Sequence, residues 1–316
     1  MLTEMIRKEM FMKVFVTGVA GQLGHDVMNE LEKRGMEGIG TDLMPAYAGL
    51  QDGTAVTRMP YVSLDITDPE AVEKTIAGIA PDAVIHCAAW TAVDKAEDCP
   101  DICRKVNAGG TRNIAEACRR LDIPMMYFST DYVFNGNGTR PWEPEDTYEP
   151  LGVYGATKAE GEVAVKENLS KYFILRIAWV FGKNGKNFIR TMLNLAKTRD
   201  HLTVVSDQIG TPTYTFDLAR LVVDMILTDK YGIYHVTNEG PYISWFEFAK
   251  AIFEEAGITN MTVSPVTSEE YAAKAKRPYN SRMDRSKLVR EGFTPLPEWR
   301  DALKRYIEVL KEEEKG

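Results

Sequence analysis

Short apolar, β-branched runs alternate with longer stretches of helical period through the first half of the chain. Val14–Thr17 is such a run and stops at a glycine. From Gln22 to Arg34, Leu23, Val27 and Leu31 then recur on one helical face. The same pattern predicts strands at 38–42, 61–64, 83–86, 125–129 and 173–177. Helices are expected from Asp68-Pro69, where an N-cap acid precedes a first-turn proline, across Pro100 to Leu121, and from Val153 to Glu167. Residues 44–59, with Pro45, Gly49 and Gly53, read as loop. Strand and helix alternating at this spacing build a parallel sheet with helices on both faces. Strands apolar throughout agree with burial on both sides. The last third is mixed. Helices are expected at 218–227, 245–256 and 300–312 and a strand at 233–236, with more loop and aromatic content in 182–210 and 237–295.

The turn after the first strand changes the picture from fold to ligand. It reads Gly18-Val-Ala-Gly21-Gln22-Leu23-Gly24 and opens the first helix. Glycines there let backbone approach a pyrophosphate, and a helix N-terminus faces the phosphates with partial positive charge. The spacing is G-x-x-G-x-x-G, and an ordinary strand-to-helix turn would use glycines too; the position between first strand and first helix is what favours the dinucleotide. Asp42, at the end of the second strand, stands where an acid accepts hydrogen bonds from the adenosine ribose and repels a 2′-phosphate. No arginine follows it, so NADH is favoured and NADPH remains possible. Asp65 and Ile66 after the third strand are placed to clasp the adenine, although Asp65 also suits a plain Asx turn. The fold expected is α/β, a Rossmann-type doubly wound parallel sheet with a smaller, mixed α/β substrate-binding domain. Residues 12–181 plus about 211–236 form the dinucleotide-binding part, 182–210 plus 237–316 mainly the substrate-binding part, and 1–11 an N-terminal extension.

Tyr154 and Lys158 supply candidate chemistry. Four apart on a predicted helix, they share a face at about 5–6 Å between Cβ atoms. A nearby ammonium favours the phenolate, and such a tyrosine can give a proton to a carbonyl oxygen as hydride reaches the carbon. Lys158 can also hold the nicotinamide ribose. Thr130 ends the preceding strand, where open α/β sheets bind ligands, and can orient the carbonyl. Alone, Tyr154 and Lys158 could be a solvated helix face and Thr130 a turn hydroxyl. The glycine loop, strand-end hydroxyl and tyrosine–lysine helix in this order argue for a site.

Composition narrows the partners. The 316 residues are 44% hydrophobic, enough for a substantial core, and carry a net charge of −8. An acidic chain gains nothing from counterion release on nucleic acid, and its surface disfavours anionic lipid. Four cysteines (Cys87, Cys99, Cys103 and Cys118) and four scattered histidines show no metal-ligand spacing, so no metal is expected and the thiols suit a reducing compartment. No apolar run approaches the length of a membrane span, and the charged opening is no signal peptide. A cytoplasmic enzyme acting on a small molecule is the expectation.

With these residues the chain resembles the extended short-chain dehydrogenases/reductases and, within them, the dTDP-4-dehydrorhamnose reductase family, over nearly all of Met12 to Leu310. The motifs are TGVAGQLG (17–24), AAWTAVDKAE (88–97), STDYVF (129–134), YGATK (154–158), RIAWVFG (176–182), NFIRTMLNLAK (187–197), DQIGTPT (207–213) and KRPYNSRMD (276–284). The resemblance implies Thr130, Tyr154 and Lys158 as catalytic triad. It implies Gly18, Gly21, Gln22, Leu23 and Gly24 as pyrophosphate loop, and Ala88, Ala89 and Thr91 beneath the cofactor. Val93, Tyr132 and Trp179 would face the deoxysugar, and Arg277 and Asn280 the nucleotide diphosphate. Cys87 departs from the pattern, standing where the family usually has asparagine. Sugar-nucleotide 4,6-dehydratases place an acid where this chain has Tyr132, which favours simple reduction: dTDP-4-dehydro-L-rhamnose plus NAD(P)H to dTDP-L-rhamnose. The alternatives are a reductase or epimerase of another nucleotide sugar, or an idle cofactor-binding subunit resembling the regulatory subunit of methionine adenosyltransferase. Related proteins include monomers and homodimers.

Overall fold

The computed structural model describes residues 12–314. The extension expected over 1–11 lies outside the described residues. In chain order the first half comprises β1 (Lys13–Thr17), α1 (Gln22–Lys33), β2 (Glu37–Asp42), β3 (Tyr61–Ser63), α2 (Pro69–Ile79), β4 (Ala83–His86), α3 (Val93–Asp98), α4 (Pro100–Arg104), α5 (Thr111–Leu121), β5 (Met125–Thr130), α6 (Val153–Asn168) and β6 (Tyr172–Ile177). The second half comprises β7 (Val180–Phe181), α7 (Phe188–Ala196), β8 (His201–Val205), β9 (Ile209–Gly210), β10 (Thr213–Tyr214), α8 (Thr215–Ile226), β11 (Gly232–His235), β12 (Asn238–Glu239), β13 (Ile243–Ser244), α9 (Trp245–Ala256), β14 (Thr262–Val266), α10 (Ser268–Tyr271), α11 (Ser286–Arg290), β15 (Leu296–Glu298) and α12 (Trp299–Glu313).

Seven strands make one parallel sheet in the order β11-β6-β5-β4-β1-β2-β3. The chain leaves β1 in one direction to β2 and β3, then returns to β4 on its other side. This reversal opens a crevice at the carboxyl ends of β1 and β4, the binding place of such sheets. Alternate side chains take opposite faces. Val14 and Val16 meet Val27 and Leu31 of α1 and Leu221 and Val222 of α8. Phe15 and Val84 pack on the other side with Ile76, Ile114 and Val165. Asp68 caps α2 as expected, its carboxylate accepting from Glu70 N and Ala71 N.

A third core joins Phe181, Ile189, Phe248, Ile252, Leu303 and Tyr306, and forms the smaller lobe. The lobes interleave in sequence. Leu288, Phe293 and Leu296 pack into the sheet's core beside α8, although they fall within 237–316. The long helical stretch expected from Pro100 to Leu121 is helical throughout, as α4, a π-helical segment over Lys105–Gly110, and α5. Among the described residues no helix is long and apolar enough to cross a membrane, and no cluster of His, Cys, Asp and Glu could hold a metal ion.

Candidate active site

The crevice is a cavity of about 870 Å³ lined by residues of the glycine loop, β2, the turn after β4, the end of β5, α6 and the smaller lobe. Of the residues singled out from the sequence, Gly18, Gly21, Gln22, Leu23, Gly24, Asp42, Asp65, Ile66, Ala88, Ala89, Thr91, Val93, Thr130, Tyr132, Tyr154, Lys158 and Trp179 all line it. Arg277 and Asn280 do not.

At the cofactor end the glycine loop is built by close packing. Gly18 has φ +70°, and a Cβ there would sit 2.6 Å from Ala88 N. Gly21 precedes α1 and offers no side-chain cap, and the first turn carries no acid. The first-turn N–H groups are therefore left for an anion. Asp42 accepts from Ala20 N at 3.1 Å and Leu43 N at 2.8 Å, so the carboxylate is held at the cavity edge. Asp65 accepts from the backbone and the hydroxyl of Thr67, the Asx turn that remained open from sequence; those bonds hold its carboxyl below the ordinary range. The cradle of backbone N–H groups, the acid at the end of β2 and the open volume fit a nicotinamide dinucleotide.

The chemistry sits at the other end. Thr130 closes β5, and Tyr154 and Lys158 lie one turn apart on α6. Glu162, the next turn of α6, forms a fully buried pair with Arg176 of β6, with the charged atoms 2.8 Å apart, and this locks the helix onto the sheet. The ammonium was expected to lower the tyrosine's pKa. Desolvation dominates instead: it pushes Lys158 down to about 7 and, helped by the negative charge of Asp131, raises Tyr154 well above its usual value. Tyr154 therefore holds its proton at neutral pH, which suits a donor. Lys158 Nζ lies 4.2 Å from the centre of the Tyr127 ring, which gives a partly charged amine a cation–π neighbour.

Beside these residues the cavity wall is aromatic. Tyr132 meets Tyr154 edge to face at 5.4 Å. Trp179 stacks on Trp245 at 3.7 Å, and Phe188 abuts Trp245 at 4.6 Å. Trp179 has φ +50°, a left-handed conformation that is strained for a bulky residue. Arg277 is engaged by Asp94 at 2.7 Å. Asn280 is buried and spends its side-chain amide on the carbonyls of Asn137 and Arg140, a structural duty that leaves no donor for a diphosphate.

Several contributors had no role assigned from the sequence, although Thr17 and Asn187 open two of the quoted motifs. Asn107, in the π-helical stretch, both donates to and accepts from the Trp90 backbone and so fixes the turn beneath the cofactor. Thr17 bridges His86 and Ala88 N; the buried imidazole, pushed down to about 3 by desolvation, stays neutral. Asn184 donates to Ala20 O at 3.0 Å and accepts from Leu50 N. Asn187 donates to Gln22 Oε1 at 3.0 Å and to the Tyr306 hydroxyl at 2.8 Å.

A doubly wound sheet with this loop and this threonine, tyrosine and lysine in one crevice defines an oxidoreductase scaffold of the extended short-chain dehydrogenase/reductase class. Comparison with known proteins narrows the class. The family described as RmlD substrate binding domain matches residues 12–312, and the chain belongs to it. The spore coat polysaccharide biosynthesis protein SpsK of Bacillus subtilis is 38% identical, over 94% of this chain and 97% of that protein. The crystal structure of a dTDP-4-dehydrorhamnose reductase from Clostridium acetobutylicum shares 42% identity at TM-score 0.86, over 95% of this chain and all of that one (100%). That of the Bacillus anthracis dTDP-4-dehydrorhamnose reductase, in complex with NADP, shares 39% at TM-score 0.85, with the same coverage of 95% and 100%.

Proposed function

We propose that this protein reduces the 4-keto group of dTDP-4-dehydro-L-rhamnose to give dTDP-L-rhamnose, with NADH favoured over NADPH. The observation that carries the reading is the convergence of Thr130, Tyr154 and Lys158 on the cavity that the glycine loop opens. Reduced nicotinamide supplies the hydride when bound. Tyr154 then gives its proton to the carbonyl oxygen, and its high pKa keeps that proton available. Thr130 orients the carbonyl, and Lys158 holds the cofactor ribose and the proton balance of the pair. Trp179 and Val93 border the sugar, and Tyr132 supplies no carboxylate for water expulsion. Asp42 favours NADH, because its charge opposes a 2′-phosphate. The relatives named as dTDP-4-dehydrorhamnose reductases support the substrate. The reading places the enzyme in the cytoplasm, as a monomer or homodimer.

The test is oxidation of NADH, followed at 340 nm, with dTDP-4-dehydro-L-rhamnose generated enzymatically in place and repeated with NADPH. Substrate-dependent turnover that disappears in Tyr154→Phe supports the assignment. Tight NADH binding without turnover on this substrate removes it.

A further inference from the structure

One buried acid beside the reacting groups has entered so far only through its charge on Tyr154. Asp131 follows Thr130 at the end of β5 and is 2% exposed. Its Oδ1 accepts the Thr130 hydroxyl at 2.9 Å, and its Oδ2 accepts the hydroxyl of Ser281. Thr130 Oγ1 also accepts the Tyr132 N–H at 3.2 Å. Ser281 belongs to a strap over 276–284 that is pinned on both sides. Its N–H donates to Ile209 O at 2.8 Å, while Asn280 N donates to Gly136 O and Trp142 N to Arg282 O, each at 2.8 Å. The acid is therefore gripped between the catalytic hydroxyl and a fixed donor from the far end of the chain.

Thr130 has a single proton. While Asp131 is a carboxylate, that proton is spent on it, and Thr130 shows the cavity only lone pairs. Once Asp131 is protonated at Oδ1, the acid donates to Thr130 and the threonine's proton is free to turn toward a carbonyl oxygen. We propose that Asp131 is a positioning residue that decides which way the Thr130 proton points, with Ser281 of the strap fixing the acid in place. This inference rests on the reductase reading.

Burial pushes Asp131 up to about 6, and Ser281 and Thr130 pull it down. The ionisable groups around it are the Tyr132 phenol on its own turn, the Tyr154 phenol on α6 and, beyond Tyr132, the Arg277–Asp94 pair, whose arginine lies on the strap. Desolvation raises both phenols above their usual range, so they stay neutral as Asp131 titrates. Lys158, at about 7, titrates in the same region, so variants must assign the limb.

The experiment measures kcat and KM against pH for wild type, Asp131→Asn, Asp131→Ala and Ser281→Ala, with NADH affinity and melting temperature as controls. The amide of Asp131→Asn can donate to Thr130 permanently, as the protonated acid does. It is expected to keep kcat within about threefold of the wild-type low-pH value while losing the wild-type decline as pH rises through Asp131's range. Asp131→Ala removes both the acceptor that holds the Thr130 proton and the donor that aims it, so it too should lose the limb, with kcat at a pH-independent level about tenfold below the wild-type low-pH value, the worth of one hydrogen bond, and NADH affinity unchanged. Ser281→Ala removes a donor to the carboxylate, which raises its pKa and moves the limb to higher pH. If either truncation fails to fold, the isosteric Asp131→Asn still decides. A limb that survives unchanged in Asp131→Asn, or an asparagine variant as slow as the alanine, overturns the inference. Absence of turnover in the wild type would instead count against the reductase reading itself.

Discussion

Two glycines three residues apart in the same loop should fail in different ways when replaced by alanine. At Gly24, a new Cβ would stand 2.4 Å from Gly18 O and 2.8 Å from Val19 Cα. Ordinary contact begins at 3.4 Å, so the backbone of the turn must move by about 1 Å. Overpacking of this kind costs about 1–3 kcal/mol. The unfolding entropy of a chain this long converts that to a loss of roughly 2–5 °C in melting temperature. At Gly21 the backbone is extended, with φ −88° and ψ 174°, and the only neighbour within 4 Å is Gly18 O at 3.2 Å. A methyl there needs Gly18 O to give by only about 0.2 Å, and it occupies the cavity where backbone must approach the phosphates. Gly21→Ala should thus keep its melting temperature within about 1 °C, by the same conversion, while its Kd for NADH rises about tenfold, which corresponds to about 1.4 kcal/mol. Thermal unfolding and NADH titration by fluorescence, run on both variants, separate the outcomes. Equal destabilisation by the two substitutions, or a Gly21→Ala protein with wild-type NADH affinity, would refute the division of labour.

Tyr154→Phe should lose about 10²–10⁴-fold in kcat and keep its NADH affinity; activity within a few-fold of wild type in the 340 nm assay sinks its role as donor. Asp42→Ala should raise NADPH use relative to NADH by about tenfold, a shift of one Coulombic contact of about 1.4 kcal/mol, read from kcat/KM for each cofactor; an unchanged ratio shows that Asp42 does not face the ribose. Lys158→Met should abolish turnover and raise the melting temperature at pH 7. The folded-state pKa of Lys158 lies below its unfolded value, so the unfolded chain binds the extra proton between about 7 and the ordinary lysine range, and wild-type stability rises with pH there. The stability advantage of the methionine variant should accordingly shrink as pH is raised from 7 to 10, and an advantage that grows instead contradicts the burial argument. Arg176→Ala leaves Glu162 buried without its partner and should cost about 3–5 kcal/mol of stability, measured by denaturant unfolding.

What the chain reveals by inspection is local in character. Val14–Thr17 and Ala83–His86 announce themselves because a strand buried on both faces must be apolar throughout. Tyr154 and Lys158 are legible because a helix turns four residues into one face. The helix over 100–121 is legible, but the π-helical segment within it, from which Asn107 reaches Trp90, leaves no mark in the apolar spacing. The segment 182–210 looked loop-like, yet it holds α7 and β8, whose apolar faces are explained only by the lobe core they share with α9 and α12. Asp131 went unassigned for the same reason, because its partner Ser281 lies 150 residues away. Asn280 shows the converse error: its motif resembled a ligand contact, and packing uses its amide to tie two loops together.

The asparagines that reach from the smaller lobe to the carbonyl of Ala20 and the side chain of Gln22 tie that lobe to the glycine loop. The aromatic wall of the cavity and the glycine loop are thus braced against each other. A ligand that steadies this turn steadies the wall, and thermodynamic reciprocity requires each ligand to tighten the other by an equal factor.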